Sequence, residues 1–374
     1  MKVLICNWRD LSHSRGGGAE VYTHEVAKRW VADGNEVTIF CADVPGEPSA
    51  ELRDGVQIIR AGSRFSVYRE ARRWYEAQPA DSFDLIVDQI NTRPFFCHEW
   101  TGSTPVVALA HQVAREVWFR EMPLPVALAG RWILEPRWLA KYRYVPTLTI
   151  SGSTHDSLVD YGMQKVVAIP PAVDGNPISA TYPKEATPTL VFVGRLSSNK
   201  RPDHALEALA ELRLVRPDAR LWVIGDGPFR AELENFDAPG VTFFGRVSHE
   251  KKYELLARAH ALLVTSTREG WGLVVDEAAT VGTRSIAYDV AGLRDSVTAA
   301  DGILVEPDPA ALALAIDRVI DDWMLPPTTQ LPRGTGDWDG VASRMLQAAT
   351  QMCSLNAMPP EQGSREVVRS FAPA

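Results

Sequence analysis

Residues 261–281 read ALLVTSTREGWGLVVDEAATV, and the order of properties along them decides how the chain is built. Four apolar residues, Ala261 to Val264, have the length and composition of a buried strand. A polar turn containing Gly270 and Gly272 follows, and from Val274 to Val281 the pattern is helical. Strand, glycine loop and helix start make a corner whose free backbone N–H groups and helix dipole favour an anion. Glu269 sits at the strand end and Glu277 about one turn into the helix, so both carboxylates reach one ligand. An anion on backbone donors, with hydroxyls on carboxylates, is the chemistry of a nucleotide sugar.

The same alternation runs outward in both directions. Strand patterns occur at Val3–Cys6, Val37–Cys41, Val56–Ile59, Leu85–Val87, Val106–Leu109, Thr147–Ile150 and Val166–Ile169. They resume at Leu190–Val193, Leu221–Ile224, Val241–Phe244, Ala261–Val264, Ser285–Ala287 and Ile303–Val305. Helical patterns such as Glu20–Ala32, Asp203–Leu212, Lys251–Ala259 and Ala310–Ile320 lie between them. Strands and helices alternating at this length predict an α/β fold with parallel sheets covered on both faces. A chain of 374 residues exceeds one ordinary core, so two Rossmann-like domains are expected. The first spans residues 1–170 and the second, which holds the corner above, residues 189–322. A proline-rich lapse over 171–188 reads as the linker, an amphipathic helix is expected over 337–350, and the polar stretch 356–374 as disordered.

Composition narrows the class. A net charge of −8 argues against nucleic acid as a partner. Cys6, Cys41, Cys97 and Cys353 have no metal or redox spacing and read as thiols of a reducing compartment. With no 18-residue apolar run, the expectation is a cytoplasmic protein. The segment 122–144 leaves two readings open. Its aromatics and its cations Arg131, Arg137, Lys141 and Arg143 suit peripheral contact with the inner face of a membrane, while Pro123, Pro125 and Pro136 favour a helix pair packed over the first sheet.

Other strand ends carry chemistry too. Gly194-Arg195-Leu196 and Lys200 follow the strand Leu190–Val193, where two cations can grip a diphosphate from two sides. Arg15-Gly16-Gly17-Gly18-Ala19-Glu20 opens the first helix and offers a second anion-friendly N-terminus. It lies nine residues past its strand, which weakens a dinucleotide-fingerprint reading. Gly225-Asp226-Gly227 reads as a turn beside the site. His111 follows the strand Val106–Leu109, Asn91-Thr92-Arg93 occupies the equivalent place after Leu85–Asp88, and Ser153 to Asp156 reads as a capping box.

These motifs, in this order, resemble glycosyltransferase family 4, retaining enzymes of the GT-B architecture related to glycogen synthases and mannosyltransferases. The resemblance rests on Gly17-Gly18-Ala19-Glu20, Pro170-Pro171-Ala172-Val173-Asp174, Gly194-Arg195-Leu196 with Lys200, Gly225-Asp226-Gly227-Pro228, Glu269 with Glu277, and Trp338-Asp339. It implies that Arg195 and Lys200 hold the donor diphosphate, that Glu277 accepts the ribose hydroxyls, and that Glu269 binds the donor sugar. Backbone N–H groups of Gly270, Trp271, Gly272 and Leu273 would surround sugar and phosphate, with Gly194, Gly17 and Gly18 near the phosphate and His111 near the sugar. The base would lie near Arg246 and Val247, and Arg15, Asn91 and Arg93 would stand on the acceptor side. The residue after His111 is Gln112 where many members carry Asp, and Trp271 replaces a frequent Phe. The resemblance also implies that the last helix crosses back to the first domain. No metal and no cofactor is expected, the nucleoside-diphosphate sugar (UDP or GDP) being the substrate. The acceptor would be a glycan, a lipid-linked sugar or a small metabolite, joined through an α-glycosidic bond. An epimerase or phosphorylase of the same architecture, and a non-enzymatic scaffold, are the competing readings.

Overall fold

The computed structural model describes residues 1–14, 16–173, 182–236, 238–325 and 337–356. The chain divides into two compact units. Met1–Ala114, Ala129–Pro171 and Trp338–Ala374 form the first; Arg115–Leu128 and Ala172–Asp337 form the second.

The first unit holds β1 (Lys2–Cys6), β2 (Glu36–Cys41), β3 (Ala50–Arg53), β4 (Val56–Arg60), β5 (Leu85–Ile90), β6 (Val106–Ala110), β7 (Thr147–Thr149) and β8 (Val166–Ala168). Their spatial order is β3-β4-β2-β1-β5-β6-β7-β8, and every neighbouring pair except β3 and β4 is parallel. The chain winds one way from β1 through β2 to β4 and the other way from β5 onward. The crevice at the carboxyl ends of β1 and β5 is therefore the switch point at which such sheets bind ligands.

The antiparallel strand β3 was not among the strand patterns. Ala50–Arg53 alternates partly buried with exposed positions at the sheet edge, so it lacks the apolar run that marks a central strand. The usable signal was the turn. Asp54 and Gly55 have φ of +50° and +78°, the left-handed pair that an Asp-Gly hairpin requires. The helix start near residue 151 also differs from expectation. Ser151, not Ser153, is the cap: its Oγ accepts from the backbone N of Thr154 at 3.2 Å, and Ser153 already lies inside the helix Gly152–Asp160.

The helix Trp338–Asn356 belongs to this unit and packs along the helix Gly18–Ala32. Trp30 donates its indole N–H to the Ala342 carbonyl at 2.8 Å, and the Tyr22 ring meets Trp338 edge-on. It runs beyond the expected end at residue 350; the rest of the polar stretch, 357–374, lies outside the described residues. So does the middle of the expected linker, residues 174–181.

The stretch 122–144 is a chain of short helical pieces, Leu124–Ala129, a π turn over Gly130–Leu134, and Glu135–Ala140. Pro136 lacks a donor and crowds the carbonyl four residues back, and the wider turn just ahead of it accommodates both defects. Leu139 and Tyr142 pack into the first unit's core with Ile90, Ala108 and Ala110, whereas Trp132, Ile133 and Tyr144 are exposed. Arg115–Leu128 groups with the second unit although its neighbours on both sides belong to the first.

The second unit holds β9 (Thr189–Val193), β10 (Arg220–Ile224), β11 (Val241–Gly245), β12 (Ala261–Val264), β13 (Arg284–Tyr288) and β14 (Ile303–Val305). They form one parallel sheet in the order β11-β10-β9-β12-β13-β14. Alternate residues serve opposite faces. Leu190, Phe192, Leu221, Val223 and Leu263 join one core, while Val191, Trp222, Ile224, Leu262 and Val264 join the other. The central strands β9, β10 and β12 are thus buried on both faces, as their continuous apolar runs demand, while the edge strands β11 and β14 are only partly buried. The switch point here falls between β9 and β12.

Candidate functional site

The two loops that the sequence singled out in the second unit leave adjacent strands at that switch point. They are knitted together by backbone-directed bonds. Asn199 donates its side-chain amide to the Arg268 carbonyl at 3.3 Å, and its own carbonyl accepts from the Thr267 N at 2.8 Å. Thr265 Oγ1 donates to the carbonyls of Lys200 and Arg201 at 2.9 and 2.7 Å. This lacing brings Lys200 onto Glu269 in a close ion pair, with Ser266 Oγ donating to the same carboxylate oxygen at 2.6 Å. Arg195 stands exposed on the first of these loops and has no carboxylate partner among the described residues.

Glycine is required where the neighbouring loop passes. Gly225 has φ +130°, and a Cβ there would lie 1.9 Å from the Gly194 carbonyl oxygen. A Cβ on Gly227 would lie 2.3 Å from the Leu196 carbonyl oxygen. The Gly194 and Leu196 N–H groups donate to Ile224 and Asp226, each at 3.0 Å, which fixes the course of the backbone through Arg195. The Gly-Asp-Gly turn thus shapes the arginine loop from behind. Arg246 is exposed just past β11, while Val247 is half-buried against the core.

Gly272 has φ +93° and precedes the helix Leu273–Thr280. Glu277 pairs with Lys252 at 2.7 Å, a partner on the helix His249–Arg258 that no motif had marked. Trp271 is buried, and its indole N–H donates to Asp276 Oδ2 at 2.6 Å while its carbonyl accepts from Ser296 Oγ at 2.6 Å. The Trp271 side chain therefore braces the loop from inside, leaving only backbone to meet a ligand. Asp276 is fully buried, its Oδ1 has no hydrogen-bond partner among the described residues, and burial pushes its carboxyl up to about 7 despite the indole bond. Sequence reading passed over Asp276 because an acid in a first helical turn is ordinarily a solvated, dipole-compatible residue.

In the first unit, His111 follows β6 and is buried, with neither ring nitrogen hydrogen-bonded among the described residues. Burial, reinforced by the charge of Arg9, lowers its pKa to about 4, so the imidazole is neutral at pH 7. Its ring meets Tyr22 edge-on at 5.3 Å. Gly17 caps the helix Gly18–Ala32, and Glu20 reaches back to accept from the Gly17 N at 2.7 Å. The other oxygen of Glu20 pairs with Arg9 at 2.9 Å. One buried acid thus ties the glycine loop to the arginine beside His111. Asn91 donates to Asn7 Oδ1 at 2.5 Å across the β1–β5 switch point, and Arg93 lies exposed over the Tyr68 ring. Arg15 lies outside the described residues.

Residues 16–176 match the family profile described as Glycosyltransferase Family 4, and residues 178–330 that described as Glycosyl transferases group 1. Among curated proteins, the glycogen synthase of Mycobacterium tuberculosis strain H37Rv is 26% identical over 367 residues, covering 86% of this chain and 86% of that one. The GDP-mannose-dependent alpha-(1-6)-phosphatidylinositol dimannoside mannosyltransferase of M. tuberculosis strain H37Ra is 26% identical over 332 residues, covering 82% and 84%. Among solved structures, the sucrose-phosphate synthase of Thermosynechococcus elongatus superposes with a TM-score of 0.74 at 21% identity, over 94% of this chain and 99% of that one.

Proposed function

The chain belongs to the family-4 glycosyltransferases, with their GT-B architecture, and on that premise we propose that it moves a sugar from UDP or GDP to an acceptor hydroxyl with retention at the anomeric carbon. The observation that carries this reading is the laced pair of switch-point loops, which puts against Glu269 the Lys200 of the loop that also carries Arg195, a cation with no carboxylate partner among the described residues. Without ligand the ammonium and the carboxylate neutralise each other. A donor replaces that pair by two better-matched ones, its diphosphate taking Lys200 and Arg195 while its sugar hydroxyls take Glu269. Glu277 exchanges Lys252 for the ribose hydroxyls in the same way.

Departure of the nucleoside diphosphate is the difficult event, because negative charge grows on the leaving oxygen. Fixed cations and the N–H groups of Gly270 to Leu273 stabilise that charge without reorganising. The acceptor oxygen attacks the anomeric carbon on the face the diphosphate leaves. The bond to the phosphate oxygen breaks with its electron pair, and that oxygen takes the acceptor proton. His111 is assigned the donor-sugar contact, Gly17 and Gly18 the phosphate, and Arg246 with Val247 the base. The charge work falls to side chains and backbone, so no metal or cofactor is invoked.

Arg195→Ala and Lys200→Ala should each reduce turnover by about 10²–10³ with the fold intact, the usual cost of removing one such stabilising group. Sugar transfer measured with a panel of nucleotide sugars checks this, and wild-type rates in either variant would sink the assignment. Accumulation of an epimerised donor without acceptor would favour the epimerase reading instead. The acceptor is assigned to a lipid-linked or small polyhydroxy compound, and the segment 122–144 to peripheral contact with the inner face of a membrane from the cytoplasm.

A further inference from the structure

We propose that the first unit carries its own oxyanion site, formed by Arg64 and Arg93, and that the acceptor is a phosphorylated sugar or polyol. This rests on the transferase reading and adds the chemical class of the acceptor to it. The Arg93 guanidinium lies 4.3 Å from the centre of the Tyr68 ring. That of Arg64 lies 5.6 Å from the Trp8 ring and 5.7 Å from the Phe65 ring. Trp8 and Tyr68, the rings beneath the two guanidiniums, pack against the same apolar cluster of the first unit, and both positive charges oppose the upward push of burial on the Tyr68 phenol.

Neither arginine has a carboxylate partner among the described residues. The contrast with their neighbours is direct. Arg9, which also stacks on Trp8, is neutralised by Glu20, and Glu70 is already engaged by Arg69 and Arg73. Two unpaired cations in a chain of net charge −8 are a local inversion of its field. A guanidinium resting on a ring face keeps its N–H edge open and its plane fixed, the arrangement that suits two-pronged binding of phosphate.

Their place in the fold is that of a ligand site. Trp8 and Arg93 follow the carboxyl ends of β1 and β5, which flank the switch point, and Arg64 follows β4, two strands farther along the same edge. Thr92 has φ +77° and the Arg93 N donates back to the Asn91 carbonyl at 3.1 Å, a γ-turn of the rare positive-φ kind that projects Arg93 from the sheet edge. Phe65, 80% exposed, offers a flat apolar surface for the C–H face of a ring.

The test uses calorimetric binding to the full chain, with glucose against glucose 6-phosphate as soluble probes and phosphatidylinositol in phosphatidylcholine vesicles as the lipid arm. Glucose 6-phosphate or the phosphatidylinositol vesicles should bind at least tenfold tighter than glucose or plain phosphatidylcholine. Arg64→Gln and Arg93→Gln should each weaken that binding tenfold or more, with circular dichroism and UDP or GDP affinity retained. A preference in the soluble arm alone assigns a free phosphate, and in the vesicle arm alone a lipid headgroup; either supports the site. No preference for the phosphorylated probe in either arm overturns it. So does a preference lost in Arg195→Ala but kept in Arg64→Gln/Arg93→Gln, because the phosphate is then entering the donor site. Failure of UDP and GDP to bind, with the arginine-dependent preference intact, would instead bring down the transferase reading and leave the oxyanion site standing.

Discussion

Asp276 occupies the first turn of the helix Leu273–Thr280, directly behind the loop assigned to the donor, and one of its oxygens holds the Trp271 indole N–H at 2.6 Å. Its carboxyl is raised from the ordinary aspartate range to about 7 by burial, with the adjacent Glu277 charge adding to the effect. The folded state therefore keeps a proton that the unfolded chain gives up near pH 4. The stabilisation this confers is full below the unfolded pKa and is lost as pH rises through about 7. Asp276→Asn copies the protonated form at every pH. The variant should gain about 2 kcal/mol on the wild type between pH 5 and pH 8.5. Paired urea denaturation curves at the two pH values measure this, and a gap that stays constant would mean the carboxyl titrates normally. His111 has the opposite sign. Its stabilising contribution is present above pH 6.5 and is lost as pH falls toward about 4.

The loop after β10 shows how an element that touches no ligand sets the position of one that does. Gly225 admits the Gly194 carbonyl where a Cβ would overlap it, and the arginine loop takes its course from that contact. Gly225→Ala should cost at least about 2 kcal/mol, from a strained φ and overpacking together. It should also weaken nucleoside-diphosphate binding, because Arg195 is displaced with its backbone. Thermal unfolding with and without UDP or GDP reads both effects, and an unchanged ligand-induced shift would separate Gly225 from the site. At this scale the sequence was legible wherever apolar runs are long. Thirteen strands begin or end within one or two residues of their patterns, since burial on both faces forces a continuous run. The polar edge strand β3 escaped because its pairing, and not its composition, makes it a strand.

Taken whole, the molecule is acidic, yet the exposed side chains after residue 130 gather cations around aromatics. Arg131 stacks on Trp132 at 4.4 Å and Arg143 on Tyr144 at 5.5 Å, with Ile133 exposed beside them. Flotation with phosphatidylglycerol vesicles should carry the protein upward at low salt and release it at high salt. Trp132→Ala should weaken the association several-fold, the cost of losing one interfacial anchor. Protein left at the bottom of the gradient at low salt would remove the membrane from the account. No helix among the described residues is long and apolar enough to cross a membrane. The sequence by itself determined two parallel sheets and which strand ends carry glycines, cations and acids, because periodicity and turn chemistry are local and survive in a single chain read end to end. Only the tertiary structure decided that Lys200 meets Glu269 across 69 positions, that Glu277 meets Lys252, that Trp271 turns inward to Asp276, and that Arg115–Leu128 joins the second unit. Those facts depend on which strands lie side by side, and a residue's own neighbourhood in sequence carries no record of that order.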